Sequence, residues 1–286
     1  MKPSVSISGA LKRSHIRSKP TEGDLSLRNK IIGTVSMLAL AGCIASPASA
    51  MPGFNGLLGV DYSHLSVNHG GGNGNDYGAS ATGMFDVGSQ FALQADGGYH
   101  YVDISNGGHT NDWNAGGTGF WTGYIGRIGA TAGYNSLDGD GSDGHATNYG
   151  AFGNWYAADA ITFGLKGGGF SGSSDTKGEY AGAALTGYVT PDFSLQGGYD
   201  YTHLQHFGNE NDWSARAEYL FSERMPLAVY AGYTNSKISD GGPTINLFSV
   251  GLTFFCDPVG PESLEAHDRT GAERWGNSFG PTLLKF

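Results

Sequence analysis

From Phe91 to Tyr101 the chain alternates strictly. Phe91, Leu93, Ala95, Gly97, Tyr99 and Tyr101 fall on one face, and Gln94, Asp96, Gly98 and His100 on the other. A period of two separates these residues onto the faces of a β-strand, whereas a helix would mix them. The pattern returns in Tyr77, Ala79, Ala81, Gly83 and Phe85 against Ser80, Thr82 and Asp86. It returns again in Trp213, Ala215, Ala217, Tyr219 and Phe221 against Ser214, Arg216 and Glu218, and in Phe163 and Leu165 against Thr162 and Lys166. The rings stand at the strand ends, with Gly and Ala between them. A sandwich in water places its largest side chains near strand centres, where two sheets meet. A strand crossing a bilayer places amphipathic rings where hydrocarbon meets headgroup.

The segment Phe91–Trp113 is repeated, less two residues, by Phe193–Trp213, and both copies end in Asn-Asp-Trp. The first copy carries an additional Ala95-Asp96, and an even insertion leaves every later side chain on its original face. Related segments begin near Phe54, Ile125, Ile161 and Leu227. Six units of roughly 32 to 37 residues, each with room for two strands and two connections, predict twelve strands.

The aromatic residues sort into two rings. One collects Tyr62, Tyr77, Tyr99, Tyr101, Trp113, Tyr134, Tyr149, Tyr180, Tyr199, Tyr201, Trp213 and Tyr233; the other collects Phe85, Phe91, Trp121, Trp155, Phe163, Tyr188, Phe193, Phe221 and Phe254. About ten residues at ~3.3 Å each, tilted by ~40°, rise about 25 Å, the height of the apolar band of a membrane barrel. Closure follows, because lipid offers no partner to an unpaired strand edge. Short links at Gly88-Ser89-Gln90, Ala157 to Ala160 and Pro191-Asp192 alternate with polar stretches at 68–76, 104–112, 137–146 and 205–212, expected to be outer loops.

Composition excludes the main alternatives. Gly supplies 49 of 286 residues and charged residues only 15%. Gly in a helix interior costs about 1 kcal/mol relative to Ala, so a helix bundle is a poor fit. Aromatic residues at 12% argue against disorder.

Only one apolar run exists, inside Arg28–Ala50, where two positive charges precede Ile31–Ala45 and Ala48-Ser49-Ala50 offers the small-x-small pattern of a secretory cleavage site. Leu27, directly before this segment, is a candidate true start. Leu40-Ala41-Gly42-Cys43 is a competing lipoprotein-type cleavage signal. Cleavage after Ala50 removes seven of the 16 Lys and Arg and two of the 26 Asp and Glu. The acidic remainder repels nucleic acid. It also leaves Cys256 as the sole cysteine, with no intrachain disulfide. The expected organisation is 1–50 extension and signal, 51–255 barrel, and 256–286 a periplasmic tail with a short helix around Pro261–Trp275.

The signal segment, the alternating strands with paired girdles and the Phe-rich last strand Leu247–Phe255 resemble the outer-membrane β-barrel proteins of Gram-negative bacteria, in particular small porin-like ones. The resemblance implies an all-β transmembrane antiparallel barrel in the outer membrane, contact with outer-membrane lipids and lipopolysaccharide, and insertion by the barrel-assembly machinery. Such proteins usually end at the aromatic residue of the last strand, whereas here a tail follows, ending in Leu284 and Phe286.

If the apolar face meets lipid, the polar face lines a lumen whose charges are Asp61, Asp96, Arg127, Lys166, Asp200, Arg216 and Glu218. Two readings stay open. The charges bias an aqueous path for small polar solutes, or they pair and fill the interior, with Asp200 meeting Arg216 diagonally. Inward Gly59, Gly98, Gly116, Gly133 and Gly168 favour space. A non-conducting surface barrel is the second functional class. His64-Leu65-Ser66 resembles the His-x-Ser of lipid A deacylases, a minor enzymatic alternative. The acidic segment Asp138–Gly144 lacks the register of a calcium loop, and His69, His109, His145 and His203 are expected in or beside loops. No cofactor and no resident metal are expected.

Overall fold

The computed structural model describes residues 53–68, 72–105, 108–139, 142–173, 176–205, 208–222, 225–239, 242–256 and 262–274. The signal segment with Ala48 and Ala50, His69, and the chain beyond 274 with Leu284 and Phe286 lie outside these residues.

Twelve strands run in order: β1 (Phe54–Val67), β2 (Gly72–Asp86), β3 (Phe91–Ile104), β4 (Gly108–Gly123), β5 (Gly126–Gly139), β6 (Ser142–Ala158), β7 (Ile161–Gly172), β8 (Lys177–Thr190), β9 (Phe193–Leu204), β10 (Gly208–Ser222), β11 (Met225–Ile238) and β12 (Thr244–Phe255). Each pairs antiparallel with its sequence neighbours, and β12 closes on β1 from Leu57↔Phe255 to Val67↔Ile245. Closure leaves no edge, which a transmembrane sheet requires. Leu93, Ile128, Leu165, Leu185, Leu195, Val250 and Leu252 are exposed on the outer wall, an apolar band that hydrocarbon, not water, accommodates.

The ring residues flank this band. At one end Tyr62 meets Tyr77, Trp113 meets Tyr134, Tyr199 meets Trp213 and Tyr233 meets Phe248, with centroids 4.6 to 5.4 Å apart. At the other, Phe54 tilts on Phe85 and Phe91 stands opposite Trp121. Tyr180 and Tyr188 depart from the expected girdles. Both face the lumen, because β8 turns Leu185 and Val189 outward and parity sends the even positions in.

The expected outer loops are mostly strand. β2 starts at Gly72, β4 at Gly108 and β10 at Gly208, so the Asn/Gly/Asp stretches pair across their hairpins and only short links remain. Asn75 faces His64 in register, and Asn111 faces Tyr101. Polarity marked these residues as having left the membrane, but water does not end a β-ladder. Gly72, Gly108 and Gly208 enter their strands at φ 84°, 91° and 93°, a conformation glycine adopts without penalty.

The tail is the larger correction. Residues 262–274, expected outside the barrel, lie inside its short-turn mouth. Helix α1 (Leu264–Thr270) starts at Ser263, whose hydroxyl accepts from the Ala266 amide at 3.0 Å. Leu264 and Ala272 complete an apolar layer with inward Leu57, Met84, Ala92, Phe120, Phe152, Leu220, Ala228 and Phe255. Closing the mouth this way removes apolar surface from water that a free tail would leave exposed. Cys256 is disulfide-bonded.

Candidate functional site

The lumen has two levels. At the short-turn level, Gln94 clasps the tail backbone: its Nε2 donates to the Glu273 carbonyl and its Oε1 accepts from the Glu273 amide, both at 2.8 Å. Arg127, fully buried, donates to Glu273 Oε2 at 3.1 Å and to the carbonyls of Arg269 and Gly271 at 3.0 and 2.9 Å. Its guanidinium lies 4.4 Å from the Phe120 ring centroid. Asn154 donates to the same Glu273 oxygen at 2.7 Å. Tyr188 donates to Asp268 at 3.0 Å, and Tyr156 to the Arg269 carbonyl at 3.0 Å.

Arg274 bridges Glu218, at 2.8 Å, and Asp268. Burial works against its charge, yet the Asp268 and Glu218 carboxylates hold the guanidinium above its ordinary range. Arg269 reaches the carbonyls of Ala158 and Asp159 at 2.7 and 2.6 Å, tying α1 to the β6–β7 turn. The Glu265 amide donates to the Pro191 carbonyl of the β8–β9 turn at 3.0 Å, so five strands and two turns hold one segment.

Above this level is a cavity of about 260 Å³. Glu273 and Arg274 line it from the tail, Asp61, Asp96, His100, Asp112 and Asn135 from β1 and β3–β5, and Arg216 and Tyr230 from β10 and β11. Asp96 accepts from Thr82 and Gln94 at 3.0 and 2.8 Å. Arg216 pairs with Glu218 at 3.0 Å and lies 3.7 Å from the Tyr230 ring centroid. Lys166 pairs with Asp200 at 3.2 Å. Asp200 therefore does not meet Arg216. Arg216 stands opposite Gln196, while Asp200 faces Asp212, four residues along the ladder.

Glycine on an intervening strand makes several of these meetings possible. Lys166, Gly182 and Asp200 form one row across β7, β8 and β9, and a Cβ on Gly182 would collide with the Asp200 carboxylate. Asp61, Gly78 and His100 form the corresponding row across β1, β2 and β3. Gly168, expected to leave space, is instead covered by the Tyr180 hydroxyl.

Sequence reasoning missed Asp268, Glu273 and Arg274, whose position depends on a tail folding back. It also missed Asp76, Asp112 and Asp212, each the middle residue of an Asn-Asp-aromatic triplet and each buried on the inner wall. The triplets were visible as repeats, and parity assigns their Asp to the inner face.

The other candidates stand apart from the lumen. His64 is outward, and its Nδ1 lies 3.2 Å from the amide oxygen of Asn75, where a hydrolase would place a carboxylate. His109 and His145 stack on Tyr101 and Tyr134 of the outer wall, and His203 meets Asn209 at 2.7 Å. The acidic segment from Asp138 is a hairpin with Asp138 opposite Asp143, its tip lying outside the described residues.

No protein-family model matches the sequence, and no curated protein matches it. Among solved structures the chain is similar to an outer membrane channel from Pseudomonas putida F1, with a TM-score of 0.55 at 13% identity over 73% of this chain and 98% of that one. It is also similar to the translocator domain of the autotransporter NalP from Neisseria meningitidis, with a TM-score of 0.50 at 14% identity over 81% and 97%. The fold is that of the outer-membrane β-barrels.

Proposed function

We propose that this chain is an outer-membrane channel for small polar solutes whose C-terminal segment is a resident plug. The observation that carries the reading is the two-level lumen: a charged cavity of about 260 Å³ continues down to a floor made by Glu273 and Arg274 of the tail. Side chains filling a permanently closed barrel would come from the strands themselves. Here the lowest layer includes Leu264 and Ala272, supplied by a segment joined to β12 through 257–261. The wall charges Asp61, Asp96, Arg127, Lys166, Asp200, Arg216 and Glu218 would set the preference among solutes. In this reading the signal is cleaved after Ala50, the outer face meets lipid and lipopolysaccharide, and the assembly machinery reads the end of β12.

Planar-bilayer recording of the full chain and of a chain ending at Cys256 tests this. The full chain should give rare or small openings and the shortened chain large, stable steps. A shortened barrel that is folded by heat-modifiable gel migration yet electrically silent would overturn the reading in favour of a non-conducting envelope barrel.

A further inference from the structure

We propose that Asp61, Asp76 and His100 form a binding site for a divalent transition-metal ion of the zinc type, inside the upper lumen. Three strands each supply one ligand, and their candidate ligand atoms all lie within 4.8 Å of one another. His100 Nδ1 is 3.1 and 3.3 Å from the two Asp76 oxygens. Asp61 and His100 belong to non-adjacent strands and approach only because Gly78 stands between them: a Cβ there would collide with the Asp61 carboxylate and the His100 ring. Zinc ligands lie about 2.0–2.2 Å from the metal, hence roughly 3.3–3.5 Å apart in a tetrahedron, so side-chain rotation of around 1 Å would complete the geometry.

Charge points the same way. The corresponding row over Gly182 joins Lys166 to Asp200 and is neutral. The row over Gly78 joins Asp61 to His100, and Asp76 beside it adds a second carboxylate, so the cluster carries negative charge whether or not His100 is protonated. The lumen's Arg216 and Arg274 are engaged with Glu218.

A second observation comes from the far wall of the same cavity. Asn135 is 4% exposed, lines the cavity, and its Oδ1 has no hydrogen-bond partner. It adds an acceptor to a cavity whose lining already sets four carboxylates, of Asp61, Asp96, Asp112 and Glu273, against the two guanidinium groups of Arg216 and Arg274. The mixed nitrogen and oxygen set favours zinc or manganese over calcium, which takes oxygen ligands almost exclusively.

The site stands whether or not the lumen conducts, and its test reads binding alone. Calorimetric titration of the folded full chain with Zn²⁺ should show one saturable site per chain that excess Ca²⁺ does not displace. Asp61→Asn and His100→Gln should each weaken it by more than about tenfold, and Gly78→Val should abolish it, with heat-modifiable migration reporting that each variant is folded. The outward His64, His109, His145 and His203 provide a control: loose binding that persists in His100→Gln belongs to them. If the wild type shows only this loose phase, or if the saturable site survives His100→Gln in a folded barrel, the proposal falls.

Discussion

The short-turn half of the lumen and the long-loop half are enclosed by the same twelve strands, yet one is filled and the other hollow. In the filled half the strand charges meet partners from the tail: Arg127 meets Glu273 and two carbonyls, and Glu218 meets Arg274. In the hollow half the strands meet mainly one another. There the spacing of side chains is set by which strand carries glycine, as at Gly78 and Gly182. A twelve-stranded circumference is too wide for inward side chains alone to fill, so a segment from outside the sheet decides which half is solid.

Removing residues 262–286 breaks this contrast and should have the largest effect. The buried Arg127 would lose Glu273 and two carbonyls at once, while the apolar layer around Phe120 and Phe255 would face water. Conductance is expected to rise by an order of magnitude or more, with a lower temperature of gel-shift unfolding. An unchanged conductance would show that the constriction lies in the strands.

Glu273→Ala is next. It leaves Arg127 and Asn154 without their shared acceptor, and removing one partner of a buried ion pair typically costs about 3–5 kcal/mol. Since the tail keeps its Gln94, Tyr188 and Arg274 contacts, the plug should loosen without unfolding the barrel. Increased proteolysis between α1 and the barrel, together with flickering conductance, would report it. Arg127→Met with Glu273→Leu should recover part of the loss, because the replacement is apolar on both sides.

These two tests bear on what the sequence could convey. Strand positions and facing were legible, because lipid enforces parity at residues such as Leu93 and Leu165. The position of the tail was not, because Asp268, Glu273 and Arg274 are polar residues in a short segment without periodicity. Their partners Gln94, Arg127 and Glu218 lie up to 179 positions away. The outer hairpins were misjudged for a related reason. Asn73, Asn75 and Asn111 carry a loop-like composition, but beyond the girdle the ladder persists on backbone hydrogen bonds that composition does not report. Inward Asp76 and Asp112 were within reach of parity, had the strands been extended past the aromatic rings.

Gly182→Val sharpens the comparison within the hollow half. The added side chain must displace the Asp200 carboxylate and separate it from Lys166, and forcing bulk into a filled contact costs about 1–3 kcal/mol. A smaller loss of thermal stability than for Glu273→Ala is expected, with an altered ion selectivity as Lys166 turns toward the cavity. Reversal-potential measurement in a salt gradient, made on the chain ending at Cys256, checks the second effect.

The smallest effect belongs to the outer wall, where one repeated contact joins neighbouring strands. Tyr62 donates to Asn75, Tyr99 to Asn111, Tyr199 to Asn211 and Tyr233 to Asn246, at 2.6 to 2.8 Å. In all four the Asn lies two residues before the aromatic ring that stands opposite the Tyr. In Asn75–Tyr77, Asn111–Trp113 and Asn211–Trp213 the residue between is an inward Asp, so one short triplet serves both faces of the wall. Asn111→Ala should cost about 0.5–1.5 kcal/mol, the usual net worth of one hydrogen bond, because the exposed Tyr99 hydroxyl can turn to water or headgroups. Asn111→Ala and Asn211→Ala combined should add to within about 0.5 kcal/mol, being on separate hairpins with no shared partner. Neither should alter conductance. A conductance change from these outer-wall substitutions would mean that the wall and the lumen are coupled through the triplet Asp residues, and that the two halves of the interior are not set by the tail alone.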